Sequence, residues 1–118
     1  MVPFLQNANN LIELELTDNN FQSEGFKILL RALSDSPIEE LLCQECGIES
    51  IEIDNEHKPK HLKRLYLNCN NINAEGCRGL GKLLQGEDST LTTLHLPGNK
   101  IDDEGVEILV KLYEAIPC

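Results

Sequence analysis

The sequence contains no tryptophan, one methionine, and only three Phe and two Tyr in 118 residues. A core cannot therefore be assembled around large rings. It must come from Leu and Ile, which suits an interior built as a column of aliphatic side chains. Basic residues are also scarce: 10 Lys and Arg stand against 20 Asp and Glu, a formal net charge of -10. A surface of that sign repels a phosphate backbone, which argues against nucleic acid as a partner. The acidity itself leaves two readings, solubility alone or a preference for another protein with a basic surface. No apolar run approaches the length of a membrane span, no basic-then-apolar leader occupies Met1 to Asn7, and no Asn-x-Ser/Thr acceptor occurs. Cysteines number five, an odd count. Together these features predict free thiols in a reducing, cytoplasmic setting and no membrane partner.

What is present is a repeat. Four segments carry apolar residues at the first, fourth, sixth and eleventh places, with Asn or Cys at the ninth. They are Leu11, Leu14, Leu16, Asn19 and Phe21; Ile38, Leu41, Cys43, Cys46 and Ile48; Leu62, Leu65, Leu67, Asn70 and Ile72; and Leu91, Leu94, Leu96, Asn99 and Ile101. Successive copies start 27, 24 and 29 residues apart. Units of this size bury a core only against each other, so the expected architecture is a stack, and its function should lie on its surfaces.

Within a unit, alternation around the fourth and sixth places predicts a short strand, with the fifth side chain on the opposite face. The ninth-place Asn sits where the chain turns away. Its amide both donates and accepts, so it can satisfy backbone groups stranded inside the stack. Apolar residues three and four apart then predict a helix. Glu24, Glu75 and Glu104 fall in the first helical turn, where negative charge meets the helix N-terminus favourably. Gly25, Gly76 and Gly105 share one place, and close approach of neighbouring backbones is the expected reason, outweighing a helix cost of about 1 kcal/mol. The second unit departs: Glu52 replaces the Gly, Ile51 and Ile53 alternate as in an extended chain, and a polar stretch ends at Pro59. A short irregular or 3-10 segment is expected there instead of a helix.

These motifs resemble the ribonuclease-inhibitor-like subclass of leucine-rich repeats over nearly the whole chain. The resemblance implies an α/β solenoid of about four repeats, with parallel strands on the concave face and helices on the convex one. The expected organisation is a single domain, 1–118, with residues 1–10 as the tail of a preceding unit or a cap and repeats at 11–37, 38–61, 62–90 and 91–118. The last unit shows no polar cap in the sequence, which leaves a fragment of a longer array or end-on self-association as alternatives. Similar repeats occur in ribonuclease inhibitor, the Ran GTPase-activating protein, NOD-like immune receptors and tropomodulins. What they imply in common is protein binding by the concave face or its rims; for this chain a binding scaffold with no catalysis of its own is the expectation. Regulation of a small GTPase, or a repeat fragment of an immune-receptor-like protein, is the alternative.

Other chemistry is weaker. Cys43 and Cys46 precede His57 and His61 with the residue types of a zinc site, but the 10-residue gap is short and both Cys fall on places the repeat already explains. No metal and no cofactor are expected. Cys69 and His95 belong to different units and are expected to lie too far apart for a catalytic pair. No Gly loop has phosphate-binding spacing. The register instead predicts a binding face of Glu13 and Glu15 on the first unit, Glu39, Glu40 and Leu42 on the second, Lys63, Arg64 and Tyr66 on the third, and Thr93 and His95 on the fourth. Its central file runs Glu15, Leu42, Tyr66, His95.

Overall fold

In a computed structural model, residues 12–84 and 89–115 are described. Each unit contributes a three-residue strand: β1 Glu13–Glu15, β2 Glu40–Leu42, β3 Arg64–Tyr66 and β4 Thr93–His95. The strands form one parallel sheet in chain order, and their middle residues Leu14, Leu41, Leu65 and Leu94 lie side by side. Helices α1 (Gln22–Ala32), α2 (Ala74–Leu84) and α3 (Asp103–Ala115) follow the first, third and fourth strands. The architecture is therefore an α/β leucine-rich repeat solenoid. The expected tail at residues 1–10, most of the loop near residues 85–89, and residues 116–118 fall outside the described segments.

The aliphatic column forms as the pattern requires. Leu41, Leu65, Leu67, Ile48, Ile72 and Leu80 are fully buried, with the small thiols of Cys43, Cys46 and Cys77 among them. In the first and last units Leu14, Leu16, Leu94 and Leu96 are partly buried and pack against this column.

Asn70 is the best-satisfied member of the ladder. Its Oδ1 accepts the amides of Cys46 at 2.9 Å and Ile48 at 3.2 Å, and its Nδ2 donates to the carbonyls of Cys43 and Leu67, both at 2.9 Å. Asn99 repeats this one unit on, accepting from Ile72 at 3.0 Å and donating to Leu67 and Leu96. Cys46 imitates half of it, its thiol donating to Leu16 and Gln44 at 3.3 Å. Asn19 is different: it is exposed and, among the described residues, donates to Leu16 and Thr17 of its own unit.

The second unit carries only a 3-10 turn, Asn55–His57, which Asp54 caps by accepting the Glu56 amide at 3.0 Å. The segment before it is extended, and Ile51 and Ile53 point into the core. The reason for the shared glycines needs correction. A Cβ on Gly25 or Gly105 would meet a side chain of its own unit, Phe21 at 2.5 Å or Ile101 at 2.7 Å. Among the described residues, Gly76 alone of the three meets a neighbouring unit's backbone as well, the Glu49 carbonyl at 2.5 Å. The shared requirement is thus room for the eleventh-place side chain to fold under the helix start.

Candidate functional site

The strand face places the expected residues in two cross-strand files. One runs Glu13, Glu40, Arg64, Thr93 and the other Glu15, Leu42, Tyr66, His95, each residue opposite the next in parallel register. Parallel pairing keeps side chains of equal place in line, so the repeat spacing translates directly into a surface pattern.

The files differ in chemistry. In the first, Glu40 faces Arg64 with 3.5 Å between Oε2 and Nε, and beside it Glu39 faces Lys63 at 3.6 Å. These pairs are partly solvated and hold charge in place more than they add stability. The acids of the second unit are thereby balanced by the bases of the third. Glu13 and Glu15 have no basic partner among the described residues and are exposed. Net negative charge on this face consequently concentrates at the first unit.

In the second file the rings of Tyr66 and His95 pack edge-to-face, 4.6 Å between centroids and 61° between planes. This contact limits the rotamers of an otherwise solvent-facing Tyr. Leu42, next to Tyr66, is half-buried, as Tyr66 itself is. The middle of the face is thus apolar and aromatic, bounded on one side by acids.

The structure adds a feature that spacing did not reveal. The eighth residue of every unit lies at positive φ: Asp18 at 66°, Glu45 at 54°, Cys69 at 58° and Gly98 at 78°. That conformation costs any residue with a Cβ, and it persists because the turned amide bonds across the sheet. Asp18 donates to Gln44, Glu45 to Asn68 and Cys69 to Pro97, at 2.8 to 3.1 Å. A Cβ on Gly98 would also approach the Cys69 sulfur at 2.9 Å. The signal available in sequence was a single Gly in four copies, too little to mark the place. Next to this row, the Asn68 side-chain oxygen is shielded from solvent and bonded to no group among the described residues.

The remaining candidates separate. Cys43 and Cys46 are fully buried, and burial pushes both thiols up, away from the thiolate that metal ligation or nucleophilic attack requires. They share no cluster with a histidine. Among the described residues, the one group of close potential ligands is Asp54, Glu56 and His57 on the outer 3-10 turn. There the His57 ring nitrogen bonds Asp54 at 2.8 Å and holds its carboxyl below the usual carboxylate range, an ordinary exposed pair. Cys69 is exposed. Among the described residues, no helix is long and apolar enough to cross a membrane.

No curated protein matches the chain. The family model described as Leucine Rich repeat matches residues 7–27, 58–81 and 87–110, more than half of the sequence. The matched segments fall on the first, third and fourth units and leave out most of the second, the unit without a helix. The chain belongs to the leucine-rich repeat family.

Proposed function

We propose that this protein is a non-catalytic scaffold that binds another protein on its strand face, around Tyr66, His95 and Leu42. Leucine-rich repeats generally serve as protein-interaction scaffolds. The observation that carries the reading is the Tyr66–His95 contact at the centre of the face. An aromatic ring held in place before binding loses little freedom when a partner covers it, and such loss costs about 0.5–1.5 kcal/mol per immobilised side chain. Tyr beside apolar area is also the composition of energetic anchors at interfaces.

Charge supports a partner with a basic surface. Glu13 and Glu15 are the acids left for it, since Glu39 and Glu40 sit against Lys63 and Arg64. Lys63, Arg64 and Thr93 then form the rim on the other side. The chain's acidity argues against nucleic acid in this role. We read residues 1–118 as acting as one array, of the ribonuclease-inhibitor-like kind by its ninth-place Asn and helix glycines, in a reducing cytoplasm by its free thiols. The GTPase-regulating alternative asks for an exposed, positioned Arg or Asn at a rim, and Arg64, the Arg of the strand face, already faces Glu40.

The test is capture from a lysate of the source cells with the parent protein, a Tyr66→Ala, Leu42→Ala double variant, and a Lys82→Glu variant on α2. The reading expects one set of proteins to be lost with the strand-face variant and kept with the helix variant. The reverse pattern would move the binding surface to the helices.

A further inference from the structure

Leu42 is the aliphatic side chain of the strand face, and its neighbours limit what can cover it. In parallel register it lies between Glu15 on β1 and Tyr66 on β3. Neighbouring strands are about 4.8 Å apart, so Leu42 is one step from a carboxylate and one step from a ring. Leu42 and Tyr66 are half-buried, and the His95 ring fixes Tyr66 from its far side.

The acid on the near side is held in place and lacks a countercharge. Glu15 is exposed, and the Thr17 amide donates to its Oε1 at 3.3 Å. Glu13, two residues earlier on the same face of β1, is exposed as well. All 10 Lys and Arg of the chain lie within the described residues, and the ion pairs they make leave out both of these acids. Residues 1–11 hold no Lys or Arg. Glu39 and Glu40 contrast with them, because Lys63 and Arg64 already face those carboxylates.

Few kinds of side chain suit that sequence of surfaces. A purely apolar residue covers Leu42 but takes water from Glu15 with nothing to replace it, and an unpaired carboxylate loses heavily by that. An acidic or phosphorylated residue is repelled by Glu13 and Glu15. A small cation satisfies the acids and leaves Leu42 bare. Lys and Arg alone join an apolar methylene stem to a positive tip, and they lay the stem on apolar surface while the tip stays hydrated.

Building on the strand-face reading, we infer that the partner's anchor is a Lys or Arg side chain whose stem lies on Leu42 against Tyr66 and whose charge ends at Glu15 and Glu13. The partner's backbone then crosses the face over Tyr66, and the side chain points toward β1. Tyr66 bounds the stem on one side and the two acids receive its tip on the other. The basic surface of the partner is thereby reduced to one residue that reads apolar area and negative charge together.

The experiment is titration of the full chain with n-butylammonium chloride, a lysine side chain without its backbone, followed by side-chain NMR at constant ionic strength. Ammonium chloride supplies the charge without the stem, and butan-1-ol the stem without the charge. The expected result is saturable shifts of the Leu42 methyls, the Tyr66 ring and the Glu15 side chain with n-butylammonium, and none comparable with the other two. Glu15→Gln, at an exposed place, should weaken binding about two- to fivefold. Glu49→Gln, an exposed acid outside the strands, should leave it unchanged. Ammonium matching n-butylammonium would mean bare charge attraction, and butan-1-ol matching it would mean an apolar patch alone; either overturns the inference, as does an equal loss with Glu49→Gln. If the strand-face variant loses its captured proteins while n-butylammonium leaves Leu42 unmoved, this inference falls and the strand-face reading stands. Capture indifferent to the strand-face variant overturns both.

Discussion

A Cβ placed on Gly79 would run into the backbone carbonyl of Ile51, the tightest approach at any glycine described in the chain. Helix α2 comes this close because the second unit has an extended segment where the other units have a helix. The bare Gly-x-x-Gly face of Gly76 and Gly79 lies directly on that segment, Gly76 against the Glu49 carbonyl and Gly79 against that of Ile51. The irregular unit and the glycine-rich helix are two sides of one packing solution.

Gly79→Ala should therefore destabilise the protein, by about 1–3 kcal/mol or more from overpacking, although the helix itself prefers Ala by about 1 kcal/mol. Gly105→Ala meets side-chain atoms, the Ile101 Cγ2 methyl and the Cys77 sulfur, where Gly79→Ala meets backbone, and should cost less. Chemical denaturation of both variants checks the order. Equal losses would show that the Ile51 segment yields easily.

Asn70→Ala should cost far more than Asn19→Ala. Asn70 is buried and satisfies the Cys46 and Ile48 amides and the Cys43 and Leu67 carbonyls. Each buried group left without a partner costs about 1–3 kcal/mol. Asn19 is exposed, and water can replace it. Unfolding midpoints of the two variants decide the matter, and comparable shifts would contradict it.

Residues 51–61 should exchange their amide hydrogens faster than helix α2. Among the described residues, the amides in that stretch that donate within the protein are those of Glu56, His57 and Lys60. Few internal hydrogen bonds and an exposed turn mean opening at low free energy. Protection equal to that of Leu80–Leu84 in a hydrogen-exchange time course would refute this.

Once a partner of the strand face is in hand, its kinetics should split by residue. Glu13→Lys with Glu15→Lys should slow association and flatten its dependence on salt, because these are the unpaired acids of the face. Tyr66→Ala should mainly speed dissociation, since desolvated anchors act there. Surface plasmon resonance at two salt concentrations measures both rates. Glu39→Gln should change association less than the first-unit variants, because Lys63 already faces that carboxylate.

The stack, the order and register of its strands, and the missing helix of the second unit were all legible in the spacing of the residues. Each follows from spacing: apolar residues at fixed places within the repeated pattern can be buried in only one way when the units lie side by side. That is why Glu15, Leu42, Tyr66 and His95 could be put in one file before any coordinates. Tertiary structure alone decided what depends on contacts between units. It paired Glu39 and Glu40 with Lys63 and Arg64, confining uncompensated acid to the first unit. It set the Tyr66 and His95 rings edge-to-face, turned the eighth residue of each unit to positive φ, with the amides of Asp18, Glu45 and Cys69 crossing to the next unit, and set Gly79 against Ile51. None of these could be read within one copy of the pattern, because each is fixed by atoms 23 to 29 residues away along the chain.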